Sequence, residues 1–146
     1  KSVAETIVNN VKKEIAERAA SNPIYFEKMS AILISLINMD IERKEEYREF
    51  LKKIKELASK ITDPDTSNYP SIIKTSGQRA IFDILSEELE ISSEVVEILK
   101  NAQADWEVSP QKTRKVRLAL LEVLKNDELM ADRIIDIAKR HDEFLR

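Results

Sequence analysis

The third apolar-patterned segment of the chain decides the fold class: residues 41–61 read IERKEEYREFLKKIKELASKI. Apolar side chains recur there at every third or fourth position, which places them along one face of an α-helix. These side chains are Tyr47, Phe50, Leu51, Ile54, Leu57, Ala58 and Ile61. Acidic residues come early and lysines late, an order that complements the helix dipole. The segment therefore predicts a long helix with a solvated, charged outer face, and with Asp40 as its N-cap.

Two further helices are predicted before this segment. Apolar residues at every fourth position from Val3 to Ile15 form one face of the first helix. That helix ends before residues 21–23, where Asn22 can cap the second helix and Pro23 can occupy its first position.

Four more helices are predicted after the long segment. Their start signals are a capping box at Thr75–Gln78, the pair Ser92–Ser93, the pair Ser109–Pro110 and a residue near Asp127. A corner is predicted at Asp105–Val108. The total is about seven helices and no strand, so we predict an all-α, irregular bundle of antiparallel helix hairpins. The pattern predicts no internal repeat of the length that solenoid proteins use.

The length of 146 residues suits a single domain with a real core. The loop at residues 62–70 contains two prolines and is a candidate boundary between a long-helix half, residues 1–61, and a shorter-helix half, residues 71–146. Because the chain begins with Lys1 rather than Met, we expect residues 1–146 to be a single helical domain excised from a larger subunit.

Composition argues against several classes of protein. The single glycine, Gly77, cannot supply a phosphate-binding loop, so we expect no nucleotide site. Since there is no cysteine, we expect no disulfides or thiolate metal sites, and together with the absence of a signal pattern this favours the cytoplasm. No apolar run is long enough for a membrane span. A net charge of −3 is unlike that of a dedicated nucleic-acid-binding module.

Charge is nevertheless segregated along the second half of the chain. Between Ala80 and Glu107 eight acids stand against one base, whereas a short strip that follows contains four bases and no acid. This basic strip consists of Lys112, Arg114, Lys115 and Arg117. It could contact DNA phosphates or an acidic protein, or form the solvated first turns of a helix. Trp106, just before it, is either a binding anchor or a core side chain under the corner.

His141 is the sole histidine. Carboxylate-bridged di-iron bundles need two Glu-x-x-His pairs, and a serine hydrolase of the nucleophile-elbow type needs its own sequence context. Neither pattern occurs, so we expect a surface histidine near the chain end, and no catalytic, cofactor-binding or metal-binding residue.

Three stretches of the chain carry a resemblance to a known family. The first is Ser21–Ser30, the second contains Tyr47, Leu51 and Glu56–Ala58, and the third runs from Asn101 to Trp106 and continues through Pro110, Lys115–Arg117 and Leu120. In this order and spacing they resemble the C-terminal region of the R subunits of type I restriction enzymes. They are similar to that family's asparagine-proline-tyrosine opening, to its next long helix, and to its tryptophan corner with the basic helix behind it.

The resemblance implies a role within a larger motor. Such R subunits combine a nuclease domain, two helicase-like motor lobes and a C-terminal helical domain, and they act as ATP-dependent, site-specific deoxyribonucleases that translocate DNA. ATP and Mg are therefore implied for the parent subunit, and no cofactor for this chain. The nuclease carboxylates and ATP-binding motifs match no position here.

Three hypotheses of function remain open. The first is an assembly module that packs on the motor lobes of its own subunit and docks on the methyltransferase core subunits. The second is a DNA-guiding element that faces the duplex through the basic strip. The third is an unrelated helical protein-interaction module, which is favoured over a stand-alone enzyme because ligand motifs are absent.

Overall fold

The computed structural model describes residues 2–64 and 67–145, and over these residues it contains seven α-helices and no strand. The helices are α1 Ser2–Arg18, α2 Pro23–Ile37, α3 Lys44–Thr62, α4 Ser76–Ile84, α5 Leu89–Lys100, α6 Pro110–Val123 and α7 Glu128–Ala138. Short 3-10 turns lie at Ala19–Ser21 and Asp142–Phe144. The predicted all-α bundle of about seven helices is confirmed.

Three predicted helix starts are confirmed by their capping hydrogen bonds. The Thr75 side chain accepts a bond from the Gln78 backbone N–H, and the Gln78 side chain accepts one from the Thr75 N–H in return. Ser109 and Asp127 likewise accept bonds from backbone N–H groups three residues later. Each cap satisfies donors that the first turn of a helix leaves unpaired.

Two predicted starts are wrong. Helix α3 begins at Lys44 rather than after Asp40, because the Glu46 carboxylate accepts a bond from the Arg43 N–H at 3.2 Å and Arg43 thereby takes the N-cap position. Helix α5 begins at Leu89 rather than at Ser92. The Ser92 side chain is fully buried and its hydroxyl donates to the Glu88 carbonyl at 2.6 Å, one turn back within the same helix.

The chain divides into two compact units, one of residues 1–19 and 25–68, the other of residues 20–24 and 69–146. In the first unit, α3 packs its apolar face against α1 and α2. The buried side chains are Ala4, Val11, Phe26, Met29, Leu33, Leu36, Phe50, Ile54, Leu57 and Ile61. The Tyr25 hydroxyl donates to the Lys60 carbonyl at 2.7 Å and ties the start of α2 to the end of α3.

The second unit is built from two successive hairpins, α4 with α5 and α6 with α7, which we call the first and second hairpin. Each is joined by the same turn. Ser86 and Glu87 adopt left-handed φ angles of 56° and 64°, and Lys125 and Asn126 adopt 55° and 66°. The Glu87 N–H donates to the Phe82 carbonyl at 2.9 Å, and the Asn126 N–H donates to the Leu121 carbonyl at 2.8 Å. This is the six-to-one bond of a Schellman C-cap.

The two hairpins are therefore an internal repeat with an offset of 39 residues, and the prediction that no repeat exists is wrong. Fully or almost fully buried side chains occupy matching positions in both copies: Ile81 and Leu120, Ser92 and Ala131, Val95 and Ile134, Val96 and Ile135, Leu99 and Ala138. None of these five pairs is identical, so the repeat lies in the pattern of burial and in the turn. Its length approaches that of known tandem helical-hairpin repeats.

A small cavity shows how the hairpins stack. It measures about 320 Å³ and is lined by five matching pairs: Ile84 with Val123, Leu85 with Leu124, Ser86 with Lys125, Glu88 with Asp127, and Ile91 with Met130. Helix α4 contacts α7 and helix α5 contacts α6, so each helix of one hairpin packs on the non-equivalent helix of the other, and the two equivalent turns line the same cavity.

Candidate functional site

Helix α6 carries all four residues of the basic strip, and its buried face fixes where they point. Ser109 caps the helix and Pro110 begins it, while Val116 and Leu120 are buried against the rest of the second unit. The strip consequently lies around the solvent side of the first two turns. There its four side chains have different surroundings.

Arg117 is paired within the second hairpin. Its Nε lies 2.8 Å from Asp132 Oδ1 and its Nη2 lies 3.3 Å from Glu128 Oε1, both on α7. The hydrogen bond to Asp132 raises the pKa of the Arg117 guanidinium above its usual value, and the bond to Glu128 adds to this. The same Arg117 contact lowers the pKa of Asp132. Two carboxylates thus offset this charge of the strip.

Lys112 is also held internally. Its Nζ donates to the Ala104 carbonyl at 2.7 Å, which fastens the start of α6 to the corner before it. Beside it lies a groove of about 430 Å³ between α5 and α6, and Lys112, Lys115 and Glu97 are among its lining residues. The basic strip therefore borders an acidic side chain along one of its edges.

Arg114 and Lys115 are the exposed members of the strip, and over the described residues neither forms an ion pair. Leu118 follows them one turn later and remains 58% exposed. Residues four apart lie on the same side of a helix, so Leu118 extends the surface that begins at Arg114. We call Arg114, Lys115 and Leu118 the α6 outer face. Leu118 lies outside the predicted basic strip, although its spacing from Arg114 marks it as a neighbour.

Trp106 lies in the core of the second unit, with none of its surface exposed. Its Nε1 donates to the Phe144 carbonyl at 2.7 Å, and the Thr113 hydroxyl donates to the Trp106 carbonyl. The indole joins the corner at residues 105–108 to the chain end. The sequence left two alternatives for Trp106, a binding anchor or a core side chain, and the structure shows a core side chain. Its ring is not accessible to a partner at the surface.

His141 is buried rather than exposed, so the predicted surface position is wrong. Its Nε2 lies 2.7 Å from the Ser21 carbonyl oxygen and its Nδ1 lies 3.4 Å from the Ser76 hydroxyl. A carbonyl oxygen only accepts hydrogen bonds, so the proton is on Nε2 and the Ser76 hydroxyl can donate to Nδ1. The ring thus links residues 20–24 to the start of α4, and this structural role gives a reason for its burial.

Glu143 also binds to the start of α4. Its carboxylate accepts a bond from the Gly77 N–H at 2.8 Å and from the Thr75 hydroxyl at 2.6 Å. A carboxylate at these N–H groups also interacts favourably with the positive end of the helix dipole. A Cβ atom at Gly77 would lie 2.8 Å from the Phe144 ring and clash with Glu143, which explains the glycine. Ser76, His141 and Glu143 therefore hold the chain end against the start of α4.

Within residues 2–64 and 67–145, no group of three or more histidine, cysteine or acidic side chains is placed to hold a metal ion. No described helix combines the length and the apolar character that crossing a membrane requires. Comparison of the chain with models of known families, with curated proteins and with solved structures gives no match.

Proposed function

We propose that the chain is a non-catalytic docking module, the C-terminal helical domain of a type I restriction enzyme R subunit. In this role it packs on the motor lobes and docks on the methyltransferase core, while the parent subunit supplies ATP- and Mg-dependent translocation and cleavage of DNA. The three stretches of sequence described above support the family. The α6 outer face supports docking on protein.

The composition of the α6 outer face is the observation that carries the proposal. Arginine is enriched at the centre of protein interfaces, and the exposed leucine beside it adds apolar surface whose burial favours association. A surface that follows a phosphate backbone needs several unpaired bases instead. Here Arg117 is paired with two acids and Lys112 with a carbonyl, which leaves Arg114 and Lys115.

A DNA-guiding role is the second candidate. The exposed charges of Arg114 and Lys115 favour it, and the nearby Glu97 at the edge of the strip disfavours it, because a carboxylate repels phosphate.

A double charge reversal, Arg114→Glu with Lys115→Glu, tests the two roles. We expect weaker capture of methyltransferase core subunits and an unchanged salt dependence of DNA binding. If DNA is the partner, the log–log salt slope should instead fall by about one unit for each phosphate that the variant no longer neutralises.

The matched control reverses Lys52 and Lys53, two adjacent exposed lysines on α3 of the first unit. It changes the net charge by the same amount and should leave both assays as in the unchanged chain. Core capture that is insensitive to the α6 reversal would count against the docking proposal. Leu118→Ser should weaken capture without any change in charge, which separates an apolar contact from a purely electrostatic one.

A further inference from the structure

The first unit contains a groove of about 750 Å³ that no part of the described chain fills. Helix α1 forms one wall of the groove, and the end of α2 and the start of α3 form the other. The floor is apolar, with Val8, Ile37, Ile41, Tyr47 and Phe50 among the lining residues. Ile37 is 42% exposed and Ile41 is 38% exposed, so the groove leaves apolar surface in water. Covering these side chains would be favourable.

The α1 wall has a regular order of side chains. Glu5, Val8, Asn9 and Lys12 all line the groove, and their spacing of three and four residues sets them in one stripe along the helix. An acid thus stands at one end of the stripe and a base at the other, about 10 Å apart along the axis at 1.5 Å per residue. In the described part of the chain, neither Glu5 nor Lys12 forms an ion pair.

We propose that this groove is a self-association surface, in which α1 of a second copy of the chain lies antiparallel to α1 across a two-fold axis. When the axis passes between Val8 and Asn9, Glu5 of each copy faces Lys12 of the other. Val8 of each copy then faces Asn9 of the other. One stripe therefore makes both ion pairs with itself, as an isologous interface requires.

The same stripe disfavours other arrangements. A parallel pair of α1 helices would set Glu5 against Glu5 and Lys12 against Lys12, and like charges in contact oppose association. In the antiparallel pair, each α1 enters the groove of the other copy and covers its Ile37 and Ile41. The proposal does not depend on the function proposed above, because it uses residues of the first unit alone.

Charge reversal gives a test in which two failing variants rescue each other. In Glu5→Lys the stripe carries two lysines, and in Lys12→Glu it carries two glutamates, so each variant alone should dimerise roughly tenfold more weakly or worse than the unchanged chain. Mixed in equal amounts, the two variants should form a heterodimer, since every lysine then faces a glutamate. The double variant, with both changes in one chain, should dimerise as the unchanged chain does.

The measurement is sedimentation equilibrium of the 146-residue chain over a range of concentrations and salt. Added salt should weaken the unchanged dimer, because screening reduces both ion pairs. Lys13→Glu with Glu17→Lys is the matched control. Neither residue lines the groove, and their exchange should leave the dimer constant unchanged. Circular dichroism verifies that each variant is folded.

Three results would overturn the proposal. The first is an unchanged chain that stays monomeric at the highest concentration reached. The second is a dimer that tolerates either single reversal, since this would place the interface elsewhere. The third is a mixture of the two folded single variants that forms no heterodimer, which would leave the groove to a helix of another protein. None of these results bears on the docking assay with Arg114 and Lys115.

Discussion

The two hairpins of the second unit share a core and differ on their surfaces. The buried pairs Val95 with Ile134 and Val96 with Ile135 keep the same apolar type, and both connecting turns use the same backbone conformation. Matching exposed positions have changed: Glu94 corresponds to Arg133. Packing constrains the buried positions because interiors are close-packed, whereas solvated positions are free to diverge.

This difference separates positions that specify the repeat from those that specify a partner. Arg117, Asp132 and Glu128 form an ion-pair cluster in the second hairpin, while the matching positions in the first hairpin hold Gln78, Ser93 and Leu89. That cluster and the α6 outer face therefore belong to the second hairpin alone. A function of the basic strip must be one that the first hairpin does not duplicate.

Removal of the Trp106 ring should have the largest effect, because this side chain connects the corner before α6 to the chain end. Trp106→Ala deletes a fully buried ring and its hydrogen bond to Phe144, so we expect the free energy of unfolding to fall by about 3–5 kcal/mol. Urea unfolding followed by circular dichroism measures the loss. Native-state hydrogen exchange tells whether both hairpins open together.

Trp106→Phe is the companion variant. It keeps a ring in the core but leaves the Phe144 carbonyl without its donor, so a smaller loss of about 1–3 kcal/mol is expected. Equal losses in the two variants would mean that the hydrogen bond, and not the packing, carries the stabilisation. Protection that falls in one hairpin only would show that the two hairpins are independent folding units.

The helical content of this fold could be predicted from sequence because it is a local property. The apolar periodicity of α3 and the Ser109–Pro110 start each need only a few neighbouring residues. The start of α3 was misplaced because Asp40 and Arg43 both precede the helix, and the choice depends on whether the Glu46 side chain folds back. The start of α5 was misplaced because Ser92 bonds within the helix, although serine is also a favoured cap.

The repeat and the chain-end fastening could not be predicted in the same way. Only a few of the matching positions in the hairpins are identical, and left-handed Glu87 is not a residue type that indicates such a turn. His141 meets Ser21, 120 positions earlier, so its burial depends on tertiary structure. Of the predicted site, the four bases do lie on one helix, but the acids that pair with Arg117 come from α7, which sequence spacing alone does not reveal.

Exchanging the left-handed residues of the two turns tests whether the turns are equivalent. The expected change in the free energy of unfolding is smaller than for the Trp106 variants. Glu87 and Asn126 occupy equivalent left-handed positions, and asparagine tolerates this conformation better than glutamate does. Glu87→Asn should therefore stabilise the chain by roughly 0.5 kcal/mol, and Asn126→Glu should destabilise it by a similar amount. Thermal or urea unfolding of both variants measures the pair. The same sign of change in both would refute the equivalence of the turns.

Loss of the Arg117–Asp132 ion pair, which the first hairpin lacks, should change the free energy of unfolding least. The change should depend on pH. Arg117 lowers the pKa of Asp132, so the carboxylate binds its proton more weakly in the folded chain than in the unfolded chain. The resulting stabilisation is present above the unfolded aspartate pKa of about 3.9 and disappears as the pH falls through the lowered folded value. Both partners lie at the surface, and such pairs contribute little and are screened by salt. We therefore expect Asp132→Asn to unfold slightly more easily than the unchanged chain at neutral pH and equally easily in strong acid.

Direct titration of Asp132 by nuclear magnetic resonance gives the more sensitive reading of the same pair. The Asp132 carboxylate should titrate below the usual aspartate range in the unchanged chain and move back toward that range in Arg117→Gln, because the guanidinium that favours the ionised form is gone. Arg117→Lys should retain part of the shift, since it keeps the charge and lacks the second nitrogen of the guanidinium. Arg79→Gln in the first hairpin is the control and should leave the Asp132 titration unchanged. If Asp132 titrates alike with and without Arg117, the pair does not persist in solution, and Arg117 would then be as available to a partner as Arg114 and Lys115 are.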